Sequence, residues 1–157
     1  MNIFHTHHDP YEAARSLCDK HIPKMLLETM QMICTAHHRY GNAPPPLYKP
    51  AYQNHPMTKW VGEKLGNYLW TLEHLFGLGS EYELRFGKKH ASMAIVPWLP
   101  SASKMPRGSF SPPPQCMPDE YKDLDHIIAY RNYYIGEKAY FAKWQKGRSA
   151  PAWWNVN

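Results

Sequence analysis

Apolar and polar positions alternate with a helical period over long parts of this chain and with a strand period nowhere. Between Lys24 and His38, Met25, Thr29, Met32, Ile33 and Ala36 recur at three- and four-residue steps. Lys24, Glu28, Gln31, Thr35 and His38 fall on another face. That is the stripe of a helix packed on one side. A second period, Val61, Leu65, Leu69, Leu72 and Phe76, predicts a helix over about Thr58–Phe76. Gly77-Leu78-Gly79 is a candidate break, with "SEYELRF" resuming the helix up to Gly87. Asp9-Pro10 reads as an N-cap followed by proline at the first helical position, opening a short helix to about Leu17. Pro23 requires a kink or a fresh start near His21. A shorter helix is expected at Lys89–Ile95, and a last one from Asp119 or Asp123 to about Lys146.

Two proline-rich stretches interrupt the pattern. Residues 41–56, "GNAPPPLYKPAYQNHP", and 97–118, "PWLPSASKMPRGSFSPPPQCMP", read as loops. The second is longer than a simple connector needs. The expected class is all-α: a single compact domain over residues 1–157, with three main helices and long proline-rich loops.

Composition narrows the partners. The 157 residues are 14% aromatic, with net charge +5 and pI about 9.1. A basic, aromatic-rich domain points to a polyanion, and to nucleic acid before membrane. No run approaches the length of a signal peptide or a membrane span. Cys18, Cys34 and Cys116 are odd in number and lack CxxC spacing, so they read as reduced, buried thiols of a cytoplasmic protein. Nucleotide-binding glycine loops, GxSxG and HExxH are absent, which removes sequence support for ATP binding, dinucleotide redox chemistry and serine hydrolysis. "HTHH" offers His5, His7 and His8 to a metal, but no carboxylate or thiol completes a set by spacing. They read as surface histidines, and neither metal nor cofactor is expected.

Two clusters carry candidate chemistry. Glu28 is a lone carboxylate among apolar Met25 and Leu27, with Lys20, His21 and Lys24 one or two turns earlier. It is either a general acid–base with donors converging on it or a surface glutamate paired with Lys24. Near the C-terminus, Arg131, Lys138, Lys143, Lys146 and Arg148 interleave with Tyr130, Tyr133, Tyr134, Tyr140, Phe141 and Trp144. Cations suit phosphates and rings suit unpaired bases, although about half of these rings must pack inward.

Three pieces together resemble the pyrimidine-dimer DNA glycosylases of the phage endonuclease type. Asp19-Lys20-His21, followed at Glu28 by a carboxylate, resembles that family's Asp-Gln-His triplet and essential Glu. Asn54-His55-Pro56 before the middle helix resembles a Gly-His or Asn-His-Pro element in the same place. "YRNYYIGEKA", Tyr130–Ala139, resembles its C-terminal aromatic–lysine run. The chain is more similar still to phage-encoded proteins of that superfamily.

The resemblance implies an all-α enzyme that binds double-stranded DNA, kinks it and extrudes a base. The N-terminal amine would attack the sugar C1′, and the glutamate would support the Schiff base and the strand-breaking elimination. It implies Glu28 as the catalytic carboxylate, the amine at Met1 or Asn2 as nucleophile, and His21 as a polar contact. Lys20, Lys24, His55, Arg131, Tyr134, Lys138, Lys143 and Arg148 are the expected DNA contacts. Residue 2 is Asn, before which Met is usually kept, so the amine would move by one residue. Leu27 stands where the family has arginine. Two other readings stay open: a transferase that modifies DNA pyrimidines on the same fold, and a non-catalytic DNA-binding protein. In each the protein acts as a monomer in the cytoplasm, of the host cell if it is phage-encoded.

Overall fold

The computed structural model describes residues 1–154. Five α-helices appear: α1 (Pro10–Arg15), α2 (His21–Arg39), α3 (Pro56–Glu63), α4 (Leu65–Phe86) and α5 (His126–Lys138). Three short 3-10 segments, Ala91–Trp98, Ala102–Lys104 and Asp119–Tyr121, join them, and no strand occurs among the described residues. α2, α4 and α5 are the three main helices, so the all-α expectation holds. No helix among the described residues is long and apolar enough to cross a membrane.

Local chemistry explains the helix starts. Asp9 Oδ1 accepts from the amides of Tyr11 and Glu12 at 2.8 and 3.2 Å, and Pro10 supplies a preset φ. α2 makes the fresh start at His21. Pro23 falls in its first turn, where a missing N–H leaves no bond unmade. Met25, Thr29, Met32, Ile33 and Ala36 are all buried. α2 lies against α3 and α4, and α1 lies against α4.

The expected helix over Thr58–Phe76 is two helices. Lys64 adopts an extended conformation between them, φ −145° and ψ 147°. The break admits the second proline-rich loop: the amides of Leu65 and Gly66 donate to the carbonyls of Pro106 and Gly108 at 2.7 and 2.9 Å. Only glycine fits at position 66, because a Cβ would stand 2.2 Å from the Phe110 nitrogen. The break also alters the helical phase, so Leu69 faces solvent instead of the core. Gly77 and Gly79 do not interrupt α4. They let α1 and Met93 approach closely, and the helix runs on to a left-handed cap at Gly87, φ 71°.

The last helix is shorter than expected. It starts at His126 under an Asp125 cap and ends at Lys138. Residues 139–154 form an irregular strap. Asp19 fastens it through two bonds, its amide donating to the Lys143 carbonyl at 2.9 Å and its Oδ2 accepting from the Gln145 amide at 2.7 Å.

A buried ionic knot closes the domain. Arg85, with its side chain fully buried, pairs with Glu81 at 2.9 Å and Asp19 at 3.2 Å, and donates to the carbonyls of Leu17 and Arg15. Arg148 from the strap adds a two-point contact to Glu81 at 2.9 and 3.0 Å. Every charge in the knot has an opposite partner, the condition under which buried ions are tolerated.

Candidate active site

The N-terminal segment is the least conventional part of the core. Ile3, Phe4, His5 and Thr6 are all buried. Phe4 stacks on His21 with ring centroids 5.0 Å apart and meets Tyr134 edge-on at 5.1 Å. Asn2 is held at three points. Its Oδ1 accepts from the Ile3 amide at 2.9 Å and the Tyr130 hydroxyl at 3.2 Å, and its Nδ2 donates to the Cys116 carbonyl at 3.0 Å. Arg131 Nε donates to the Thr6 carbonyl at 2.8 Å. α5 and the second proline-rich loop thus clamp the segment from both sides.

The clamp delivers the terminus to the middle of α2. The Met1 amine lies 3.9 Å from Glu28 Oε2, with the Met1 side chain 1% exposed and that of Glu28 18% exposed. Glu28 is half-buried beside the amine and forms no ion pair with Lys24 among the described residues, so the surface glutamate paired with Lys24 does not describe this geometry. The pair opens into a cleft of about 300 Å3 lined by Asn2, Phe4, His21, Lys24, Met25, His55, Cys116, Tyr133 and Lys138. A larger depression of about 740 Å3, bordered by Arg15, Arg131, Arg148 and Trp153, holds neither the amine nor Glu28.

Burial sets the electrostatics of the cleft. His21 has its pKa lowered to about 3, first by burial and then by Lys138, Lys24 and Lys20. It is therefore neutral, with Nδ1 2.8 Å from the Tyr134 hydroxyl, which leaves Nε2 for the cleft. His55 is also lowered, by burial and by the terminal amine, against an opposing pull from Glu28. Its Nδ1 caps α3 by accepting from the Met57 amide at 3.1 Å. Burial pushes the Cys116 thiol up, which makes it a poor nucleophile. Lys138 is lowered by burial and by Lys24, and its ammonium lies over the Tyr133 ring at 5.1 Å. The arrangement presents one carboxylate, one terminal amine and two lysines to whatever enters.

Residues 1–94 match the family model of pyrimidine dimer DNA glycosylase, well over half of the chain. The chain belongs to the pyrimidine dimer DNA glycosylase family. The matched span carries Met1, His21, Glu28 and His55, whereas Cys116, Tyr133 and Lys138 lie beyond it. No curated protein and no solved structure matches the chain.

Against this family's expected site, the geometry is selective. Met1, Asn2, His21, Lys24, Glu28, His55 and Lys138 come together in one cleft. Lys20 is exposed at the N-cap of α2, 4.9 Å over the Phe141 ring. Lys143 is exposed on the strap. Tyr134 requires correction: it is fully buried, and its hydroxyl accepts from the Cys18 amide at 3.0 Å, so it cannot reach a base. Arg148 is committed to Glu81, and Arg131 to Thr6 and the Trp153 ring. The reading of the cation-rich C-terminal stretch as one helix also fails, because Lys143, Lys146 and Arg148 lie past its end.

The histidines and cysteines also differ from expectation. His5 is fully buried, while His7 and His8 are exposed. Cys18 and Cys34 are buried, but Cys116 is only half-buried at the cleft, and all three are free thiols. Phe4, Tyr133 and Cys116 were not singled out for the site. They sit in an extended start, in an aromatic-rich helix and in a proline loop, and no spacing ties these to Glu28.

Proposed function

We propose that the protein is a base-excising enzyme of duplex DNA. In this reading the α-amine of Met1 attacks C1′ of a damaged or modified pyrimidine nucleotide, with Glu28 as the acid–base group. The observation that carries it is the 3.9 Å approach of the amine to Glu28 inside a cleft. In the attack, nitrogen bonds to C1′ as the glycosidic bond breaks. The base leaves with the bonding pair, and the amine gives up a proton. Opening of the sugar then yields a Schiff base. Loss of a C2′ proton to a carboxylate allows the 3′ phosphate to leave, which breaks the strand. Lys24 and Lys138 are suited to hold the flanking phosphates, and neutral His21 offers Nε2 as a hydrogen-bonding group without adding charge.

With Met1 kept, the amine displaced by Asn2 still lies beside Glu28, with the Met1 side chain buried and Asn2 held at three points. The transferase reading rests on the lost N-terminal Thr and displaced amine; the approach of that amine to Glu28 supports excision instead. The whole chain then serves as one DNA-acting domain, because strap and α5 complete the cleft begun by residues 1–94.

The test is Glu28→Gln. Excision from duplex DNA should fall roughly a hundredfold to ten-thousandfold, the usual contribution of a positioned acid–base group. DNA affinity should change little. Full activity of Glu28→Gln on every DNA substrate the wild type processes would return Glu28 to a surface role.

A further inference from the structure

The turn that leads into α3 holds a tyrosine in an unusual backbone conformation. Tyr52 has φ 47°, the one positive value at a non-glycine position among the described residues. Its side chain is also 70% exposed. A tyrosine in the left-handed region is strained, and it persists where its surroundings fix it. Here both flanks are fastened to α2. The Ala51 amide donates to Thr35 Oγ1 at 3.1 Å, and Arg39 Nη2 donates to the Gln53 carbonyl at 3.3 Å. The Tyr52 carbonyl itself accepts from the His55 amide at 2.9 Å, which closes the turn.

That last bond fixes the location. The ends of a four-residue turn lie within roughly 7 Å of each other. His55, at the far end, lines the cleft that holds Met1 and Glu28. Tyr52 therefore lies on a fastened turn beside the cleft, with most of its surface in solvent. The surroundings suit a polyanion: residues 29–62 contain no Asp or Glu, and Arg39, Lys49 and Lys59 are exposed there.

We propose that Tyr52 is the wedge that enters the base stack of duplex DNA when a nucleotide turns into the Glu28 cleft. The inference rests on the excision reading. A sugar C1′ inside a duplex is out of reach of an amine seated beside Glu28 in a cleft, so the nucleotide must leave the stack and a gap opens. An aromatic ring inserted there recovers stacking on the neighbouring bases. A backbone mount already fixed in place leaves less to order when DNA arrives.

The experiment compares wild type, Tyr52→Gly and Tyr52→Phe. The substrate is an oligonucleotide carrying one cyclobutane thymine dimer, presented as a duplex and as a single strand. Single-turnover excision is the readout. Tyr52→Gly relieves the backbone strain, so its melting temperature should match or exceed that of wild type. Its rate on the duplex should fall about tenfold or more, the loss expected for one base–ring stacking contact. Its rate on the single strand should be unchanged, because no stack needs to be opened. Tyr52→Phe should keep the duplex rate. An undiminished duplex rate for Tyr52→Gly overturns the proposal. An equal loss on both substrates also overturns it, by assigning Tyr52 to the cleft itself. A wild type inactive on both forms defeats the excision reading for thymine dimers, and the wedge, tested on that substrate, falls with it.

Discussion

Mild acid should remove a large part of this protein's stability, and three buried histidines supply the reason. His5 is enclosed by Trp70, stacked at 4.2 Å, and Trp60, edge-on at 5.0 Å, and neither of its ring nitrogens has a partner. Burial, then His74 and His126, hold its pKa well below the ordinary value. His74 is held at about 4 by burial, although its Nδ1 lies 2.9 Å from the Pro10 carbonyl. His21 is held at about 3. In the unfolded chain each titrates near 6.5. A depressed folded value means that the fold favours the neutral ring. The stability this provides is complete above about pH 6.5 and drains as pH falls toward the folded values. Between pH 7 and pH 5 each such histidine forfeits about 1.9 kcal/mol, so three forfeit about 5–6 kcal/mol. Domains of this kind have only about 5–15 kcal/mol in total. Glu81 is pushed up by burial but held lower overall by Arg148 and Arg85, so its contribution is lost only at more acid pH. Urea unfolding at several pH values between 5 and 7 measures the effect. Near pH 5.5 these three rings should take up close to three protons on unfolding, each unfolded imidazole being about nine-tenths protonated there. His37, His55, His90 and His126, also lowered, add to that. In His5→Phe the uptake should drop by about one, whatever the variant's absolute stability. An unchanged uptake in His5→Phe would refute the reasoning, as would a wild-type loss below about 2 kcal/mol between pH 7 and 5.

Lys24→Ala and Lys138→Ala should each lower the salt slope of duplex DNA binding by a little under one, about 0.9, as one counterion fewer is released. Arg148→Ala should leave that slope nearly unchanged and instead reduce stability by about 1–3 kcal/mol, because buried Glu81 loses two hydrogen bonds. Parallel salt titrations and urea melts would show the contrast. Tyr134→Phe removes the bonds to the Cys18 amide and His21 Nδ1, so it should cost about 2 kcal/mol. Its melting temperature should fall by roughly 4–8 °C, readable by circular dichroism.

The legible parts of the fold are those written locally. The α2 stripe, the Asp9 cap and the Gly87 stop each lie within a few residues of the structure they specify. The break at Lys64 was not legible, because it is made by residues 106–110, which meet Gly66 only in the folded chain. The early end of α5 escaped for a similar reason: the strap beyond it is held at Lys143 and Gln145 by Asp19, a partner far away in sequence. At the site, Glu28 stood out locally as a lone carboxylate on the α2 pattern, and its catalytic reading came from the family resemblance. The terminal amine's partner was legible only through family resemblance. Cys116 and Tyr133 reach the cleft by long-range folding that no periodicity records. Tyr134 shows the limit of composition: an aromatic beside lysines reads equally well as a base-stacking ring or as a core residue, and here the core took it.

Whether the Met1 amine is the nucleophile is best tested by reductive trapping followed by site mapping. Borohydride added during turnover on abasic-site or thymine-dimer duplex DNA converts a Schiff base into a stable adduct. Digestion and mass spectrometry then locate it. Three amines line the cleft, Met1, Lys24 and Lys138, and burial lowers Lys138, which makes it the competitor to exclude. The expected result is an adduct on the α-amine of Met1, abolished by N-terminal acetylation and preserved when Lys138 is replaced by Ala. An adduct on Lys138 or Lys24, or base excision without any trapped adduct, would contradict the role assigned to Met1.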